Sequence, residues 1–154
     1  MLGLYSKTMA ASKLEIACEL LNDALELYYS KESFFSAIQL AGAAEELLGR
    51  HLEFIGQKSA FKSEVTDFVD LLNAVAPPSG AWRKKDMVNF VNNAKNHTKH
   101  MDPGSDTTVD FDSHLEAREI LERAVSDYYQ LMAFSTLTET PLIRRFNQDH
   151  GVQA

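Results

Sequence analysis

One cysteine in 154 residues, Cys18, excludes an internal disulfide and fits a reducing compartment such as the cytoplasm. It lies among Ile16, Ala17, Leu20 and Leu21, so its plain reading is a small buried apolar residue rather than a nucleophile. Long hydrophobic runs are missing as well. The most apolar stretch, Phe34 to Leu48, is interrupted by Ser36, Gln39, Glu45 and Glu46, which excludes a membrane span there. The opening residues, Met1-Leu2-Gly3-Leu4-Tyr5-Ser6-Lys7, lack the basic start and apolar centre of a signal peptide. No glycine-rich phosphate loop, nucleophile elbow, H-E-x-x-H helix or cysteine pair occurs. His97-x-x-His100-x-Asp102 is too small a donor set for a structural zinc site, so no metal and no cofactor is assigned. Internal repeats and low-complexity segments are absent too.

Positive charge is scarce. Fifteen Lys and Arg stand against 22 Asp and Glu, a net −7, which argues against capture of nucleic acid by the whole surface and against a reader of DNA grooves. That average hides an asymmetry. Between Trp82 and His100, Arg83, Lys84, Lys85, Lys95 and Lys99 face one acid, Asp86, so the segment is +4 and the remainder −11. An anionic ligand would be drawn there.

What the chain does have is helical periodicity, in a composition that is 45% hydrophobic and 24% charged, as in a packed domain. Residues 1–154 read as one all-α domain, an up-and-down bundle of about five helices. Leu14, Ala17, Cys18, Leu21, Ala24, Leu25 and Tyr28 mark a first helix over about 8–29. Ser33 is placed to cap a second over 34–55, which Gly56 stops. Val65, Phe68, Val69, Leu72 and Val75 form the expected inner stripe of a third, 61–76, ended by Pro77-Pro78. A fourth is expected over 82–100, followed by a turn at Asp102–Asp106 and a brief alternating segment, Thr107–Phe111. Asp112 or Ser113 caps a fifth, 113–135. Pro141–Phe146 reads as a short last helix before a polar tail, 147–154.

Two helices carry candidate chemistry. On the second, Ala37, Leu40, Ala41, Ala44, Leu47 and Leu48 share a face, and Glu45 falls inside its edge. A carboxylate there is costly unless paired, and the basic fourth helix is the expected supplier of its partner. Ala41-Gly42-Ala43-Ala44 permits close approach of another helix, from the bundle or from a second subunit. On the fourth helix, Met87, Phe90, Val91, Ala94, Thr98 and Met101 form the expected buried face. Asn93, Asn96 and His100 share one flank, with His97 between them and the core, and Lys95 and Lys99 occupy the other flank. Imidazoles that titrate near neutral pH beside ammonium groups suit a phosphodiester.

Leu40-Ala41-Gly42-Ala43-Ala44-Glu45-Glu46-Leu47-Leu48-Gly49 resembles the alanine-rich, glutamate-bearing helix of HEPN domains. Lys95-Asn96-His97-Thr98-Lys99-His100 is similar to their later motif of an arginine, a polar residue and a histidine. Asn96 to His100, followed by Val109-Asp110-Phe111-Asp112, is also similar to bacterial proteins with an N-x-x-K-H segment and then a φ-x-F-D segment. The resemblance runs from about Leu14 to Met132. It implies a helical homodimer and a metal-independent endoribonuclease of toxin or defence type, with His100 and Asn96 at the motif positions and Glu45 as the helix-two acid. Lys95 stands where the family has arginine, keeping the charge but losing the planar fork. On an ideal helix it also points about 140° away from His100. Two readings follow. In one, RNA is cut by His100 with Lys95, Lys99 and Asn96. In the other, a non-catalytic module binds a protein partner or a nucleotide.

Overall fold

The computed structural model describes residues 10–75 and 83–153. Among them are seven helices and no strand: α1 (Lys13–Ser30), α2 (Phe34–Phe54), α3 (Ala60–Val75), α4 (Lys84–Val91), α5 (Asn93–His97), α6 (Ser113–Met132) and α7 (Pro141–His150). The all-α class stands. The count rises from five because the expected fourth helix divides and the last helix is longer than its apolar residues suggested. Residues 76 and 82, and the Pro77-Pro78 break, lie outside the described residues. No helix of the described residues is long and apolar enough to cross a membrane.

Local chemistry sets the ends. Ser12 and Glu15 form a reciprocal capping box, so α1 begins at Lys13. Ser33 occupies the N-cap of α2 without a side-chain bond to the helix. Gly56, at φ 79°, closes α2: its N–H donates to Glu53 O, and Gln57 N–H donates to Leu52 O at 2.8 Å. The Asp112 carboxylate accepts from Leu115 N–H at 3.0 Å and starts α6, which ends at Met132 rather than near 135.

The core belongs to α1, α2, α6 and α7. Central α2 packs along both α1 and α6, and α7 closes over α1 and α6. Leu21, Leu25, Ile38, Leu48, Leu52, Leu121, Val125, Leu131 and Phe146 are fully buried there. The expected polar tail is in part structural. Residues 147–150 continue α7, Asp149 accepts a hydrogen bond from Tyr29 Oη at 2.7 Å, and His150 packs 4.4 Å from Phe146.

α3, α4 and α5 form a lighter second layer, in which only Val65, Met87 and Ala94 are buried. Of the stripe expected inside α3, Phe68 is 39% and Val75 72% exposed. Amphipathic spacing chose the face, but little packs on it. The expected 82–100 helix breaks at Asn92 (φ −85°, ψ 0°) and ends at His97. Consecutive Asn92 and Asn93 are poor helix formers, because their amides compete for backbone hydrogen bonds. On either side of the break Phe90 is 71% and Met101 76% exposed, so the expected single buried face is not realised.

Candidate functional site

Glu45 is buried on α2, and its Oε1 accepts from Arg123 Nε at 2.5 Å. Arg123, on α6, also donates from Nη1 to Glu64 Oε2 of α3 at 3.0 Å. The expected partner was the basic fourth helix. The partner is instead α6, which packs along α2, whereas the lysines near α4 and α5 lie further toward solvent. One turn beyond Arg123, the buried Asp127 accepts from Ala60 N–H at 2.7 Å, and Ser59 Oγ accepts from Lys62 N–H at 3.3 Å. The start of α3 is therefore tied to α6 by polar contacts, Ala60 N–H on Asp127 and Glu64 on Arg123. Burial pushes Asp127 up to about 7; the Ala60 N–H opposes this and the charge of Glu45 adds to it. Glu45 Oε2 and Asp127 Oδ2 have no hydrogen-bond partner among the described residues. For Asp127 this fits a carboxyl held neutral below about pH 7.

Above this network, α2, α3, α4 and α5 enclose a cleft of ≈ 370 Å³. Lys84, Lys95 and Lys99 line it with Asn92, Asn96 and Glu45, over an apolar floor of Phe61, Val65 and Val88. None of these three lysines is in an ion pair among the described residues, whereas Lys62 and Arg50, also at the cleft, both hold Glu53, at 3.0 and 3.3 Å. Three lysines outside any ion pair among the described residues thus line one concave surface, with Glu46 as the one lining acid likewise unpaired there, an arrangement suited to charge-assisted hydrogen bonds to phosphate.

The two histidines face elsewhere. His97 and His100, both exposed, line a shallower groove of ≈ 660 Å³ with Phe35, Gln39 and Thr107. The helix expected to carry His100 ends three residues before it. Although His100 N–H still donates to Asn96 O at 3.1 Å, the two residues line different cavities. Asn96 joins the lysine cleft, Asn93 is exposed and lines neither cavity, and Lys95 and His100 open onto different ones. Arg83 is held by Asp86, Nε to Oδ2 at 3.2 Å, and Lys85 is exposed outside both cavities. Among the described residues no three His, Cys, Asp or Glu side chains converge as a metal set.

Arg123 and Asp127 were missed from sequence. The available signal was two opposite charges four apart on the face that also carries Ile120, Ala124 and Leu131. Gln39 was missed as well. Its amide nitrogen donates to Lys95 O at 3.2 Å and to Thr98 Oγ1, tying the end of α5 to α2. No family model, curated protein or solved structure matches this chain.

Proposed function

We propose that this protein is an HEPN-like, RNA-related helical module of the cytoplasm, which binds RNA phosphates in the cleft of Lys84, Lys95 and Lys99. The observation that carries the reading is the lining of one cleft by those three lysines, free of ion pairs among the described residues, in an otherwise acidic chain. Asn92 and Asn96 add neutral donors, and the apolar floor offers a surface to a sugar or base. No histidine lines this cleft, so within one chain the lysines bind and do not cleave. Cleavage in the HEPN manner would need His100 brought to the same phosphate by a second copy or by a strand that crosses the end of α5. The separation of His100 from Lys95 favours the binding form of the reading.

A homodimer belongs to the proposal. Phe54, Phe68, Leu71 and Phe90 are exposed on α2, α3 and α4, apolar area that a second copy would cover.

The test is fluorescence anisotropy of a short labelled oligouridylate across a salt series, with cleavage followed in EDTA. Binding should weaken steeply with salt, and each of Lys84→Ala, Lys95→Ala and Lys99→Ala should reduce the logarithmic salt slope by about one. His100→Ala should leave binding unchanged. Metal-independent cleavage that His100→Ala abolishes would instead establish the ribonuclease form.

A further inference from the structure

We infer that Gly42 is a positioning residue for Lys95, an inference that rests on the cleft being the phosphate site. Gly42 lies in the middle of α2, buried, between Ala41 and Ala44, which are both fully buried and tolerate a Cβ. Its backbone is helical, so no turn or left-handed geometry requires glycine there. In a helix interior glycine is inferior to alanine, because it leaves the unfolded chain more freedom to lose.

A specific contact accounts for the exception. A Cβ at position 42 would lie 2.5 Å from Lys95 Cδ, closer than real carbon atoms approach, and 3.1 Å from Lys95 Cγ, tighter than most carbon contacts. The bare backbone of Gly42 is thus the bed on which the aliphatic stem of Lys95 rests. One turn earlier, the Gln39 amide takes the Lys95 carbonyl at 3.2 Å, with Thr98 Oγ1 donating to the same oxygen at 3.1 Å. α2 therefore fixes both the backbone and the side chain of this lysine.

A lysine stem normally samples many rotamers, and ordering them on binding opposes affinity. A stem already laid along α2 has lost much of that freedom before the ligand arrives. Lys84 and Lys99 lie exposed at the cleft, whereas Lys95 is half-buried, so Lys95 is the lysine that α2 holds in place. A methyl group at position 42 would press on the middle of a flexible side chain. The expected response is a shift of the Lys95 rotamer with the helices left in place.

Stability and binding should then move in opposite directions. Gly42→Ala is expected to keep or raise the melting temperature, by roughly 2–4 °C at most, since alanine is the better helix former. The same variant should bind fluorescein-labelled oligouridylate about fivefold more weakly, the size of one displaced charge contact. In the Lys95→Ala background, Gly42→Ala should cost no further affinity, because no stem remains to be displaced. Wild-type affinity in Gly42→Ala would overturn the inference and leave the cleft reading standing. A lowered melting temperature with the same affinity loss in both backgrounds would also overturn it, because the glycine would then serve helix packing alone. Failure of the wild-type protein to bind the oligouridylate would overturn the cleft reading and this inference together.

Discussion

Removing Arg123 probes the polar centre of the fold. Arg123→Met keeps most of the aliphatic volume but deletes the guanidinium that joins Glu45 of α2 to Glu64 of α3. Glu45 is only 4% exposed and has no other partner among the described residues, so its charge would be stranded. Breaking a buried pair from one side costs about 3–5 kcal/mol, a large share of the 5–15 kcal/mol typical of a domain. For a chain of this size that corresponds to a melting temperature lower by roughly 6–20 °C. Urea denaturation at neutral pH measures the loss directly. Adding Glu45→Met should recover most of it, because an apolar pair of similar volume replaces the ion pair. A loss below about 1 kcal/mol in Arg123→Met, or no recovery in the double variant, would refute a buried Glu45–Arg123 pair.

Further outcomes can be checked in the same assays. Asp127 sits at about 7 in the fold against an ordinary 3.8, so the native state holds a proton that the unfolded chain releases. The contribution of Asp127 to stability should therefore fall as pH rises from about 4 to about 7 and then level off; relative to wild type, Asp127→Asn should gain stability over that range and exceed it at pH 8, by up to about 4 kcal/mol. A Cβ at Gly49 would meet Ser59 Cβ at 3.2 Å and Asp127 Oδ2 at 3.5 Å, so Gly49→Ala should cost about 1 kcal/mol, unlike Gly42→Ala. Phe146→Ala should destabilise by about 3–5 kcal/mol, since α7 closes the core through this fully buried ring. Thermal melts of that variant test whether α7 is part of the cooperative unit.

Much of the helical frame was legible, and the reasons are local. Gly56 and Asp112 signal helix ends by chemistry that needs no tertiary context: a left-handed residue that only glycine adopts freely, and a carboxylate that caps free amides. The break at Asn92 was hidden because Met87, Val91, Ala94 and Thr98 keep helical spacing across it. The asparagine pair was the contrary sign. Periodicity likewise gave α3 an inner stripe, yet only its neighbours decide coverage, and Phe68 and Val75 remain exposed. Glu45 stood out in an apolar arc, whereas Arg123 was obscured by Glu116, Arg118, Glu119 and Glu122 on the same helix. The division of Lys95 and Asn96 from His100 depends on where α5 stops. Gln39 of a distant helix helps to set that point, and no local pattern shows it.

The most direct test of the account replaces Lys84, Lys95 and Lys99 together by alanine and compares oligouridylate affinity at fixed salt. Lys13→Ala, Lys31→Ala and their combination, on α1 and its C-cap away from the cleft, control for loss of charge. A loss of at least a hundredfold is expected in the cleft variant, roughly a few kcal/mol for three phosphate contacts, with near wild-type binding in the controls. Equal losses in both sets, or none in the cleft variant, would contradict it.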